Sequence, residues 1–139
     1  MQIHGACHCG NITFDLRWPD GVPVQPRACG CTFCQKHGAA WTAHPDAALR
    51  VRIGDAAHAA RHRFGTNTAD FHVCTVCGVV PVCTSEVDDR LHAVVNTRTF
   101  EGLGAFPEPV AVDFDGEETS SRLERRARHW IGHVVIEPA

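Results

Sequence analysis

Seven of the chain's eight cysteines fall into three tight groups: Cys7-x-Cys9, Cys29-x-Cys31-x-x-Cys34 and Cys74-x-x-Cys77. Disulfide partners need no such crowding, whereas metal ligands on a tight turn do. Zinc takes four ligands in a tetrahedron and favours thiolate. One pair of sulfurs rarely saturates the ion, but two pairs do. The simplest arrangement joins Cys7 and Cys9 with Cys74 and Cys77 in one closed, structural site, tying the start of the chain to its middle. The glycines after Cys9, Cys29 and Cys77 suit the bends this requires, because glycine adopts positive φ cheaply.

The middle group is left with three sulfurs, on Cys29, Cys31 and Cys34. Three protein ligands plus an open position is the pattern of a catalytic zinc. A second closed site, completed by Cys83 or by His37, fits the same spacing. Cys83 itself reads first as a small apolar core residue in Val79-Val80-Pro81-Val82-Cys83. A redox pair of the thioredoxin kind is disfavoured, because no βαβ pattern surrounds either Cys-x-x-Cys.

The elements around these groups are short. Asn11 to Leu16 alternates apolar and polar residues, as a half-buried strand does. Ala40 to His44, Arg50 to Ile53, His62 to Phe64, Leu91 to Arg98 and Val110 to Phe114 are further strand candidates. Turn residues, such as those of Trp18 to Pro23, separate them. A short helix is expected from Cys31 to His37, stopped by Gly38, and a second from Ser120 to His129. The fold class expected is mainly β, with short antiparallel sheets and a short C-terminal helix. One domain, 1–139, is anticipated, with a core at about 4–116 and a C-terminal extension at 117–139.

With 139 residues, 44% apolar and 21% charged, the composition is that of a globular chain and not a disordered one. A formal net charge of −3 argues against a general polyanion binder. Arg122, Arg125, Arg126 and Arg128 could meet phosphates on one helical face. The bland reading is a solvated face beside the Trp130-Ile131 anchor, so nucleic acid is not the expected partner. The start of the sequence shows no basic-then-apolar leader, and no apolar run is long enough to span a bilayer. A cytoplasmic protein without membrane contact is therefore expected, where clustered cysteines favour metal over disulfides.

The ordered set Gly5-x-Cys7-His8-Cys9-Gly10, Cys29-x-Cys31-x-x-Cys34-x-Lys36-x-Gly38 and Cys74-x-x-Cys77-Gly78 resembles the glutathione-dependent formaldehyde-activating enzyme family, the group that includes centromere protein V. Phe64 to Thr68 and Val95-Asn96-Thr97-Arg98 extend the resemblance, while Val82 and Gln35 depart from the residues usual there. The resemblance implies a zinc-stabilised β-tent fold and two zinc ions. Cys7, Cys9, Cys74 and Cys77 would hold the structural one, and Cys29, Cys31 and Cys34 the catalytic one. It implies carbon–sulfur lyase or synthase chemistry between a thiol such as glutathione and a small aldehyde such as formaldehyde. His37 and His44 are then the candidates for proton transfer, and Lys36 and Arg98 for a substrate carboxylate. Trp41 is a candidate pocket or core residue. The rival reading is a non-catalytic protein-interaction module with two structural zinc ions. Homodimer formation is left open.

Overall fold

The computed structural model describes residues 1–102, 104 and 106–139. Strands β1 (Gln2–Ala6) and β2 (Ile12–Arg17) form a hairpin whose turn carries the first cysteine pair. Strand β3 (Arg27–Cys29) delivers the middle group to helix α1 (Thr32–His37). Strands β4 (Trp41–Thr42), β5 (Ala48–Ile53), β6 (Ala59–His62) and β7 (Asp70–Cys74) follow, the last ending on the third group. A second hairpin, β8 (Val82–Val87) and β9 (Arg90–Asn96), precedes the short β10 (Phe100–Glu101) and β11 (Val110–Val112). Helix α2 (Thr119–His129) and strand β12 (His133–Pro138) complete the chain.

The strands make two sheets, ordered β10-β1-β2-β5-β12 and β11-β3-β4-β9-β8-β7-β6. The mainly β expectation holds. The antiparallel expectation holds apart from β3–β11 and β5–β12, which pair in parallel. Strand β11 falls within the core expected at about 4–116, whereas β12 lies in the segment 117–139; each is an edge strand of its sheet.

The five-stranded sheet follows from a period-two pattern. Ile12, Phe14 and Leu16 point inward, while Thr13, Asp15 and Arg17 point outward. Ile3, Leu49 and Val51 join them from the neighbouring strands, all fully or almost fully buried. Each such side chain contributes about 1.5–3 kcal/mol of burial. Gly5 lies opposite Phe14 in the β1–β2 register, and a Cβ on Gly5 would sit inside the Phe14 ring. Outside, Asp15 accepts from His4 and from Arg52. The Arg52 guanidinium, with His4 adding to it, holds the Asp15 carboxyl below the usual range.

The strands missed in the sequence are β1, β3, β7, β8, β10 and β12, and the strand expected from His62 to Phe64 lies instead at Ala59–His62. In β8 the residues Val82, Cys83, Thr84 and Ser85 are all buried, so no alternation marks it. Conversely, the strand expected from Leu91 to Arg98 stops at Asn96. There the Asn96 side chain accepts from Arg98 N at 3.1 Å and starts a 3-10 turn, Thr97–Thr99. Asn96 also accepts from Ala40 N and donates to Val80 O, so its amide ties three segments together.

Candidate functional site

All eight cysteines are free thiols. Two groups of sulfurs form, each with its atoms within 4.8 Å of one another: Cys7, Cys9, Cys74 and Cys77 in one, and Cys29, Cys31 and Cys34 in the other. The first group is built from two matching turns. After Cys7 and Cys9 the chain bends at Gly10, φ 84°, with Gly10 N donating to Cys7 O at 3.1 Å. After Cys74 and Cys77 it bends at Gly78, φ 78°, with Gly78 N donating to Cys74 O at 2.7 Å. Ile12 N donates to the Cys7 sulfur at 3.3 Å, which fixes that side chain against the hairpin turn. The sulfurs of Cys7 and Cys9 are 3.8 Å apart, and those of Cys9 and Cys74 3.4 Å. A tetrahedron of zinc–sulfur bonds has edges of about 3.8 Å. This donor set fits zinc.

The middle group is assembled differently. Cys29 ends β3. Gly30 does not take the positive φ expected of it; its N–H donates to Val112 O at 2.9 Å, which locks β3 to β11. Cys31 is the N-cap of α1, its sulfur accepting from Cys34 N at 3.4 Å, and Cys34 lies one turn into the helix. Gly38 closes that helix with φ 62° and hydrogen bonds back to Cys34 O and Gln35 O. Cys34 sharing its proton with Cys29 holds the Cys29 thiol down to about 5 and pushes Cys34 well up. The donor set again fits a thiophilic divalent ion, with three sulfurs and, among the described residues, no fourth.

These three cysteines line a cleft of about 660 Å³. Trp41, Phe64 and Phe71 make one apolar wall, with Trp41 edge-on to Phe71 at 5.8 Å and Phe64 stacked on Phe71 at 5.3 Å. Cys83 also lines the cleft but lies outside the sulfur group. It is 1% exposed, and burial pushes its thiol up while Arg126 pulls the other way.

His37 is exposed on α1 and packs on Phe33, ring centroids 4.4 Å apart. His44 is half-buried, its Nδ1 accepting from Asp46 N at 3.1 Å and its ring edge-on to Trp18. Lys36 is exposed on α1, and Arg98 is exposed on its 3-10 turn. None of the four lines the cleft. Trp41 is both core and pocket wall, with 7% exposure, and its indole N–H acts on the Cys34 sulfur and favours its thiolate form without making a hydrogen bond of full geometry.

The sequence reading missed the other wall. Phe114, Glu117, Arg122, Arg125, Arg126 and Trp130 line the cleft from the C-terminal side. Arg125 covers the Phe114 ring at 3.7 Å and pairs with Glu117 at 3.1 Å. Arg126 is only 6% exposed, and its Nη1 donates to Thr68 O, Thr68 Oγ1 and Ser85 Oγ at 2.9–3.2 Å. Burial lowers Arg126 to about 10, which leaves it a cation at neutral pH. The signal was present: Arg122, Arg126 and Trp130 recur every four residues, so both arginines share the face of the buried tryptophan.

The family model for glutathione-dependent formaldehyde-activating enzymes matches residues 2–114. A crystal structure of a Rhodobacter sphaeroides protein is similar at a TM-score of 0.57 and 30% identity, over 78% of this chain and 97% of that one. No curated protein matches the chain.

Proposed function

Because the chain belongs to the glutathione-dependent formaldehyde-activating enzyme family, we propose that it joins a thiol such as glutathione to a small aldehyde such as formaldehyde, and cleaves the adduct in reverse. The observation that carries this reading is the contrast between the two sulfur groups. Four sulfurs close the first, whereas the second has three and faces a cleft large enough for a small organic ligand.

In this reading Cys7, Cys9, Cys74 and Cys77 hold a structural zinc, and Cys29, Cys31 and Cys34 hold the catalytic one. An ion held by three thiolates supplies an open coordination position and a positive charge that favours the thiolate form of an incoming thiol. The chain's own contribution is placement. Cys31, as helix cap, and Cys34, one turn later, fix two donors on one rigid element. Trp41, Phe64 and Phe71 exclude water from one side of the reacting space. The new bond joins thiolate sulfur to carbonyl carbon. The carbonyl π pair moves to oxygen, and the proton lost by the thiol ends on that oxygen, giving a hydroxymethyl thioether. Lys36, His37, His44 and Arg98 have no contact with the reacting atoms in this reading.

The test is adduct formation by the zinc-loaded protein, measured against the spontaneous rate for several thiols. An accelerated rate is expected, and Cys31→Ser should lower it by more than the ~10–100-fold typical of losing a supporting partner of a metal ligand. No acceleration with any thiol sinks the reading.

A further inference from the structure

Four buried side-chain polar atoms have no hydrogen-bond partner among the described residues: Trp41 Nε1, Arg122 Nε, Arg126 Nε and His92 Nδ1. Three of these belong to residues that line the cleft, and all three are N–H donors. A buried donor without an acceptor is costly, and native structures rarely keep one without reason. Two of the three belong to cations on the wall of the cleft, Arg122 and Arg126, which suits an acceptor-rich, negatively charged group, whereas the Trp41 N–H acts on the Cys34 sulfur.

The charges agree. Three thiolates around a divalent cation carry a net −1, and an incoming thiolate adds another negative charge. An anionic substrate therefore needs cations that the sulfurs do not supply. Glu117 pairs closely with Arg125 and more loosely with Arg122, whose Nε lies 3.9 Å from it and whose Nη2 donates to Phe114 O and Glu117 O, so among the described residues Arg126 is the cation left without a carboxylate. Asp113 and Asp115 also line the cleft but are exposed. Arg126 has no carboxylate partner among the described residues; Thr68 and Ser85 hold one end of its guanidinium and leave Nε unpaired. Cys83 lines the same cleft as the three sulfurs and Arg126.

Both arginines sit on α2, beyond the residues that the family model matches. We infer that α2 makes the cleft selective: Arg126, with Arg122 beside it, receives the carboxylate of an anionic thiol whose sulfur lies at Cys29, Cys31 and Cys34. This rests on the thiol-binding reading above. Lys36 and Arg98, the cations expected in this role from their motifs, stand outside the cleft.

The experiment is an anaerobic calorimetric titration of the zinc-loaded protein with thiols matched in length. Mercaptoacetate, 3-mercaptopropionate and 4-mercaptobutyrate are each compared with the corresponding mercaptoalcohol. At least one mercaptocarboxylate should bind about tenfold or more tighter than its alcohol. Arg126→Gln and Arg122→Gln should each shrink that margin, and Arg126→Lys should keep part of it. Equal affinities for acids and alcohols in the unmodified protein overturn this inference and leave the thiol reading standing. A variant that weakens acid and alcohol alike shows the arginines to be structural and also overturns it. Failure to bind any thiol overturns both readings together. If Arg126→Gln does not fold, the matched series on the unmodified protein and on Arg122→Gln still decides.

Discussion

At the scale of single residues, equal chemistry takes unequal parts. Cys9 and Cys77 belong to the closed group, whereas Cys31 belongs to the group that faces the cleft. On the proposed two-zinc reading, Cys77→Ser should cost the protein the ion of the closed group and most of its stability, because binding free energy at a closed zinc site is folding free energy. Cys31→Ser should lose the other ion and leave the melting temperature within a few degrees. Metal content and thermal melts of the two variants, measured together, check this; similar losses of stability in both would show that both ions are structural. The two sulfur groups were legible in the sequence because residue type and local spacing bring them together. The cations that line the cleft were not. Lys36 and Arg98 stood close to recognisable motifs, but Arg126 reaches the cleft only through the packing of α2 on β8, which no local pattern reveals.

At the scale of elements, two glycines do distinct work. Gly5→Ala meets the Phe14 ring across the β1–β2 register and should destabilise the protein by about 1–3 kcal/mol, the usual cost of overpacking. Gly38→Ala would hold an L-residue at φ 62° at the end of α1 and should cost about 1 kcal/mol. Denaturant midpoints measure both, and Gly38→Ala should in addition weaken metal retention by the middle group, since α1 carries Cys34. Helix α1 was readable from its cap to its stop. Strand β8 was not, because it is buried on both faces and shows a continuous run where the eye seeks alternation.

At the scale of the molecule, the family match ends at residue 114, yet the chain beyond it is built into both the core and a sheet. Strand β12 pairs with β5 over six positions, from His133 to Pro138, and Ile131 is fully buried. Deleting residues 117–139 should therefore unfold the protein, as circular dichroism would report, and not yield a smaller stable domain. His92 offers a pH test of the same assembly. Burial, with the Arg90 charge adding to it, holds this imidazole below its usual range, and its Nδ1 has no partner among the described residues. The unfolded chain then binds the proton more readily, so stability should fall as pH drops from about 6.5. His92→Leu should reduce that slope in denaturant titrations between pH 7 and pH 5, the remainder coming from His72, which burial holds down to about 4. The closed sulfur group has one more consequence, in time instead of space. Cys9 and Cys74 are 65 residues apart, so at about 5–20 residues per second the ribosome delivers the second half of the ligand set some 3–13 s after the first. Through that interval the nascent N-terminal hairpin carries two thiols with no partners, and capture of an ion by the four-sulfur group would be a late checkpoint that only a chain made past its midpoint can pass.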